Sequence, residues 1–157
     1  MLSPALFQYW TPRIAIESNA VSGDNTHDST IGTCNAMFPR LPYFAETSLL
    51  VPANVIDVRP VLSFRPVEDV TATFRWDTLW RASATDGPYG SGMVQYANTA
   101  KPGGARIGTE LSADVRWRVN QHLLPGAIAA EFLPGPAITE ALGRSVTFFV
   151  LFATWRF

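Results

Sequence analysis

The sequence predicts an all-β protein, an antiparallel meander of about six long strands. The first observation behind this prediction is that polar and apolar side chains alternate with a period of two, because neighbouring side chains of a strand point to opposite faces. The second is that 11 Gly and 12 Pro are spread along the 157 residues, which disfavours long helices. The third is that tight turns alternate with long loops along the chain.

The first half of the chain supplies three predicted strands, at residues 13–20, 54–65 and 70–81. In the third of these, apolar side chains hold the even-numbered positions and mostly polar ones hold the odd-numbered positions. In the second, Pro60 has no backbone N–H to donate to a ladder. We therefore expect a bulge or a local gap in the pairing at Pro60.

The fourth predicted strand, residues 105–119, shows the alternation most clearly. Ile107 and Leu111 fall on its apolar face, whereas Arg106 and Glu110 fall on its polar face. A helix would not separate these residues in this way, because its side chains repeat every 3.6 positions rather than every two.

The last two predicted strands are less regular. Residues 122–132 form the weaker one, because Pro125 and Gly126 interrupt it. Residues 145–157 form the final strand, and both of its faces are mostly apolar. A strand of this kind does not reveal from its own sequence which face meets water.

The connections of the meander alternate in length. Residues 66–69 and 119–122 are tight turns, whereas residues 22–53, 83–104 and 134–143 are long loops rich in Gly, Pro and Asn. In an up-and-down meander, this order places every long loop at one end of the sheet. The tight turns and the C-terminus lie at the other end.

The composition excludes several classes of protein. Charged residues make up 16% of the chain, against about 25% in an average soluble domain, and 47% are hydrophobic. A net charge of -1 argues against a nucleic-acid binder. The single Cys34 excludes an internal disulfide and a multi-cysteine metal site. Neither histidine, His27 or His122, stands in a recognisable nucleophile setting, so we expect no catalytic residue, no metal site and no cofactor.

Long amphipathic strands, with short turns opposite long loops, are typical of an outer-membrane β-barrel. Aromatic residues fall where such a barrel meets the membrane surfaces, with Trp117 and Trp155 near the tight turns and Trp80 and Phe132 near the long loops. The alternative is a soluble β-sandwich, whose strands also alternate. Sandwich strands are shorter, however, and their turns do not segregate by length, so the barrel is favoured.

Several segments resemble the alginate-export outer-membrane porin family, from about Pro12 onward. The matching segments include SGD (22–24), NVIDVRPVLSFRP (54–66), VTATFRWD (70–77), DGPYG (86–90), WRVNQHL (117–123) and ATWRF (153–157). The resemblance implies a barrel of about eighteen strands that carries a uronic-acid polysaccharide across the outer membrane. It also implies that residues 1–157 are a single segment from the C-terminal part of that barrel.

Three expectations about the chain's context follow from that resemblance. Residues 1–11 are a poorly defined N-terminal extension without the features of a secretory signal, so the natural start is expected upstream. Six strands cannot enclose a wide lumen, so the chain would be a truncated piece, would associate with other copies through its open sheet edges, or would form a sheet that is something other than a pore. Outer-membrane lipid and an anionic polysaccharide are the other expected partners.

The polar faces carry the residues expected to line the lumen and contact the polysaccharide. Arginine presents a planar fork that matches a carboxylate, and repeated weak sites permit passage. The resemblance favours Arg59, Arg75, Arg116 and Arg118, followed by Arg65, Arg81, Arg106 and Arg156. The acidic residues expected to orient these arginines and limit binding strength are Asp57, Asp77, Glu110, Asp114 and Glu131.

Three functional interpretations remain open at this point. The first is a porin, or part of one, in which arginines guide passive diffusion without covalent chemistry. The second is a soluble β-sheet module that binds an acidic glycan through its arginine-rich face. The third is a non-functional truncated remnant. Under any of them, the charged residues could also act only as cross-strand ion pairs that set the strand register.

Overall fold

The structure is a computed structural model that describes residues 10–25, 29–38, 41–100 and 104–157. Its elements in chain order are β1 (Arg13–Val21), β2 (Val55–Val67), β3 (Val70–Trp80), β4 (Tyr89–Gly90), β5 (Val94–Gln95), β6 (Arg106–Trp117), β7 (Leu123–Pro134), α1 (Pro136–Thr139) and β8 (Val146–Trp155). Strands β1, β2, β3, β6, β7 and β8 form one antiparallel sheet in that order, and β4 pairs with β5 in a separate hairpin. Among the described residues, no helix is both long enough and apolar enough to cross a membrane.

The predicted meander is confirmed. Each long strand pairs with its neighbour in the chain, and its bounds agree with the prediction to within about two residues at most ends, a difference that the definition of a strand end allows. The three long connections lie together at one end of the sheet, and the two tight turns lie at the other. Of the expected N-terminal extension, residues 1–9 lie outside the described residues, as does His27.

The sheet has a polar face and an apolar face. The pairing of β3 with β6 sets Arg75 opposite Ser112 and Asp77 opposite Glu110 on the polar face. The intervening pair, Trp76 with Leu111, lies on the apolar face. Trp76 is 59% exposed and Leu111 is 40% exposed, and Leu151 on β8 is 72% exposed. These large apolar side chains therefore face the surroundings of the protein rather than a dry interior.

A small hydrophobic core closes the long-loop end of the polar face. Its buried members are Phe44, Leu50, Val55, Leu79, Ile107 and Phe132. Phe44 and Leu50 belong to the loop between β1 and β2, which folds back over the sheet, and Ile138 of α1 packs against the same cluster. The loops at this end are consequently anchored to the sheet by apolar packing.

The pairing at Pro60 shows the predicted local gap. Val58 pairs with Thr78 and Val61 pairs with Arg75, so the register is the same on both sides of the gap. The register shift between β2 and β3 instead lies between Phe64 and Val67, next to the tight turn.

The start of β6 departs from the predicted alternation. Leu79 pairs with Gly108 whereas Trp80 pairs with Arg106, so Ile107 is an extra residue in a β-bulge. The bulge turns Ile107 into the core and places Arg106 beside the apolar face, where its Nη2 donates a hydrogen bond to Thr109 Oγ1 at 2.6 Å. The expectation that Arg106 lies on the polar face is therefore wrong, because an inserted residue reverses the alternation.

Glu131 also lies on the face opposite to the one predicted. It pairs with Leu111 of β6 on one side and with Thr147 of β8 on the other, which places it on the apolar face. The prediction grouped Glu131 with the other acidic residues by its charge. Strand β7 alternates too weakly to fix its own orientation, so pairing with β6 decides it.

Candidate functional site

Arg59 is enclosed by carboxylates at the centre of the polar face. Its Nε donates to Asp77 Oδ2 at 3.2 Å, and its Nη1 and Nη2 lie 3.5 Å from Glu17 and Asp57, respectively. Asp57 and Asp77 are buried, and Asn19 Nδ2 donates to Asp57 Oδ1 at 2.8 Å. Arg59 is predicted to contact substrate, yet three acidic side chains already surround its guanidinium.

Arg75 and Arg116 share one buried carboxylate. Asp114 accepts from Arg75 Nη1 at 2.9 Å and from Arg116 Nε at 3.1 Å. Arg75 Nη1 also lies 3.3 Å from the carboxylate of Glu46, which reaches the sheet from the loop between β1 and β2. The Arg116 side chain is 60% exposed, so solvent can reach it despite its contact with Asp114.

A cavity of about 460 Å³ opens on the polar face at the tight-turn end. Four of the predicted arginines line it, namely Arg65, Arg75, Arg116 and Arg118. The acidic residues in its wall are Glu68, Asp69 and Asp114, so four positive charges face three negative ones. The structure therefore brings together three of the four arginines favoured by the sequence and adds Arg65.

The arginines of this cavity differ in how strongly they are paired. Arg118 Nη2 lies 2.9 Å from Asp69 Oδ1 at the exposed surface, where an ion pair contributes about 0–1 kcal/mol. Arg65 has no ion pair and no hydrogen bond from its side chain within the described part of the chain. The Arg116 guanidinium carbon lies 5.9 Å from the ring centre of Phe152. The tight-turn end thus presents cations that an anion can reach.

Arg81 lies far from this cavity and has a structural role. It is 5% exposed, and its guanidinium donates to the carbonyl oxygens of Thr99 and Gly104 at 2.8 Å and of Asp86 at 3.5 Å. These contacts hold the loop between β3 and β6 against the end of β3. Arg156 follows β8 at the tight-turn end, and its backbone N–H donates to the carbonyl of His122.

Asp86 joins the long loops and was not among the predicted site residues. Its carboxylate accepts from the Asp24 backbone N–H at 2.9 Å, the Thr33 hydroxyl at 2.7 Å, the Tyr89 hydroxyl at 2.8 Å and Gln95 Nε2 at 2.7 Å. Burial, reinforced by the hydrogen bond to Asp86, raises the pKa of the Tyr89 phenol above its ordinary value, so it remains a donor. Two of these partners, Asp24 and Tyr89, lie in the segments SGD (22–24) and DGPYG (86–90), which are distant in sequence.

Asn54 completes the junction at the start of β2. It is fully buried, and its Nδ2 donates to the carbonyl oxygens of Ser83, Asp86 and Gly87 at 3.1, 2.8 and 3.2 Å. Its Oδ1 accepts from the Ser83 backbone N–H at 2.6 Å. Asn54 has a φ of 50°, a left-handed conformation that asparagine tolerates better than most residues. The sequence pattern does not predict that Asn54 is buried or that it forms these hydrogen bonds.

No metal centre was found within the described residues, because no three His, Cys, Asp or Glu side chains converge in a way that could hold an ion. The candidate site is an ionic surface, built from arginines and carboxylates.

A comparison with protein families decides the classification. The model of the alginate export family matches residues 6–152, almost the whole chain. The chain belongs to the alginate export family. No curated protein matches the chain.

The alginate export family is a family of outer-membrane proteins with a role in alginate export, and it is a transport family rather than an enzyme family. The match confirms the resemblance carried by the segments of β2, β3 and the loops. An open, all-β, antiparallel sheet of six strands is consistent with one part of such a barrel. The family also implies a polysaccharide substrate.

Proposed function

We propose that the chain forms part of the wall of an outer-membrane pore in which arginines guide an anionic, alginate-like polysaccharide by passive diffusion. The observation that carries this proposal is the cavity of about 460 Å³ lined by Arg65, Arg75, Arg116 and Arg118. No covalent step is required, because transport needs only binding and release.

The chemistry of these arginines suits a polyuronate. Each sugar of such a polymer carries one carboxylate, and a guanidinium can donate two parallel hydrogen bonds to it. Passage through a pore requires sites that are favourable enough to enter and weak enough to leave. The acidic residues in the same cavity lower its net positive charge, and so they limit how long a polyanion stays bound.

The apolar face supports a membrane setting for this wall. Exposed side chains such as Ile14, Ile16, Trp76, Phe149 and Leu151 cover it, and an aqueous surface rarely presents so large an apolar area. The edge strands β1 and β8 do not pair with each other in the described part of the chain. Because hydrocarbon offers no hydrogen-bond partners, we infer that these edges pair with further strands or with a second copy.

The experiment that tests this function is calorimetric titration of the full chain in detergent with a mannuronate tetramer. We expect weak binding that falls as salt concentration rises, because charged contacts at an exposed site are screened. A neutral mannose tetramer, which lacks carboxylates, is expected not to bind. The double variant Arg65→Gln/Arg118→Gln removes two cavity cations and should weaken binding of the mannuronate tetramer by about tenfold, at roughly 0.7 kcal/mol per lost contact.

Arg144→Gln is the control for the loss of a positive charge elsewhere, because it removes one exposed arginine from the loop before β8, outside the cavity. It should leave the affinity for the mannuronate tetramer almost unchanged. Equal binding of the charged and neutral tetramers, or an equal effect of the cavity and control variants, would contradict the proposed function.

A further inference from the structure

Glu46 occupies an unusual position for a loop carboxylate. It lies in the loop between β1 and β2, yet its Oε1 is 3.3 Å from Nη1 of Arg75 on the polar face of the sheet. Arg75 also lines the arginine-rich cavity at the tight-turn end. An acidic side chain of the protein is therefore already bound to one of the arginines that line the cavity.

The loop does not depend on this ion pair to hold its place. Glu110 on β6 accepts hydrogen bonds from the backbone N–H of Glu46 at 2.6 Å, from that of Thr47 at 3.3 Å and from the Thr47 hydroxyl. On either side, Phe44 and Leu50 are buried in the core. The backbone at Glu46 is thus fixed by Glu110 and by apolar packing, whereas its side chain is left to bind Arg75.

The strands place fewer carboxylates beside Arg75 than beside Arg59. Two buried carboxylates on β2 and β3, those of Asp57 and Asp77, lie beside Arg59. Within the described residues, Asp114 is the only carboxylate that the sheet places beside Arg75, and Arg116 contacts the same carboxylate. Without Glu46, two guanidinium groups would share a single negative charge at the edge of the cavity.

We propose that Arg75 is a carboxylate subsite, and that Glu46 is its built-in ligand, which a uronate carboxylate displaces as the polysaccharide passes. This inference rests on the proposed function and adds to it the position of one subsite and the group that competes for it. Exchange of one carboxylate for another keeps Arg75 paired throughout, so the site binds weakly and releases readily. Glu46 moves aside by side-chain rotation alone, because its backbone stays fixed to Glu110.

The test compares two variants that each remove one negative charge. Glu46→Gln removes the competing carboxylate but keeps the shape of the side chain and the backbone contacts to Glu110. In calorimetric titration of the full chain in detergent, it should bind the mannuronate tetramer about two- to fivefold more tightly than the wild type, the range expected for a partly exposed ion pair. Glu46→Ala should shift the affinity in the same direction.

Glu17→Gln is the matched control, because Glu17 is paired with Arg59 at 3.5 Å and Arg59 keeps two other carboxylates. It should leave the affinity nearly unchanged. An unchanged affinity in Glu46→Gln, or an equal gain in Glu17→Gln, would overturn the subsite while leaving the proposed function intact. Failure of the wild type and of both Glu46 variants to bind the tetramer would overturn the subsite and the proposed function together.

Discussion

Arginines of the same predicted class have different roles in this protein. Arg65 makes no ion pair within the described residues and lines the cavity, Arg59 is enclosed by acids, and Arg81 is buried against backbone carbonyls. All three lie in an alternating segment, Arg59 inside residues 54–65 and Arg65 and Arg81 at the ends of residues 54–65 and 70–81. The alternation therefore predicts the same lumen-lining role for all three. Their roles differ because different residues from other elements contact each of them. The period-two alternation of a strand carries no information about these contacts.

Arg81 provides a test at the scale of a single residue. Arg81→Lys keeps the charge but carries all its donors on one nitrogen, whereas Arg81 uses Nη1 for the carbonyls of Asp86 and Thr99 and Nη2 for that of Gly104. We expect the free energy of unfolding to fall by about 1–3 kcal/mol, since buried carbonyl groups lose their donors. The measurement is denaturant unfolding in detergent, together with the rate of proteolysis in residues 82–100.

Arg65→Lys is the control for this substitution, because Arg65 is exposed and unpaired within the described residues. It should change neither the unfolding free energy nor the rate of proteolysis. If Arg81→Lys behaves in the same way, Arg81 does not anchor the loop.

At the scale of elements, the register between neighbouring strands decides which of their side chains pack together. Gly126 on β7 pairs with Phe152 on β8 and with Arg116 on β6. A Cβ added at Gly126 would come within 2.4 Å of the Phe152 ring, so the ring lies directly over the glycine. Gly126 interrupts the strand pattern in the sequence, but in the sheet it provides the space that this aromatic ring fills.

Gly126→Ala tests this packing. The new methyl group must displace the Phe152 ring, and we expect the free energy of unfolding to fall by about 1–3 kcal/mol, as for other overpacked sites. Arg116 should also lose its contact with the ring, which is 5.9 Å away. Denaturant unfolding of the wild type and the variant in detergent gives the difference.

The double variant Gly126→Ala/Phe152→Leu decides whether the ring is the cause. If it is, the loss in the double variant should be smaller than the sum of the two single losses, because residues in contact do not contribute independently. Strictly additive losses would show that Gly126 matters for another reason, such as the backbone alone.

At the scale of the whole molecule, the two faces of the sheet differ in polarity, and we propose that the apolar face meets lipid and the polar face meets water. Ile16 and Ala15 are adjacent on β1, but Ile16 pairs with Pro60 on the apolar face and Ala15 pairs with Val61 on the polar face. Ile16 is exposed, and Ala15 borders a small cavity that contains Arg13, Glu17 and Arg75. The same substitution can therefore be made at Ala15 and at Ile16, which lie on opposite faces at nearly the same position along β1.

Ile16→Lys should destabilise the chain in lipid vesicles by about 2–4 kcal/mol if the residue lies near the bilayer midplane, because a charged side chain would face hydrocarbon. Ala15→Lys should cost much less, since its side chain faces water. The measurement is urea unfolding of each variant refolded into vesicles. Equal costs for the two substitutions would contradict an apolar face in contact with lipid.

The sequence by itself determined the strands, their order in the meander, the separation of loops from turns and the two faces of β2, β3 and most of β6. These follow from local physics, because the alternation of side chains, the position of Gly and Pro and the lengths of connections are all readable along the chain. Its resemblance to the alginate export family was likewise carried by short contiguous segments.

Only the tertiary structure decided how the polar residues divide between structural and accessible roles. The bulge at Ile107 moved Arg106, pairing with β6 fixed Glu131, and the loop between β1 and β2 brought Glu46 to Arg75. Each of these depends on a contact between residues distant in the chain. A strand's period does not encode an inserted residue or the path of a loop, so such contacts become visible only when the sheet is assembled.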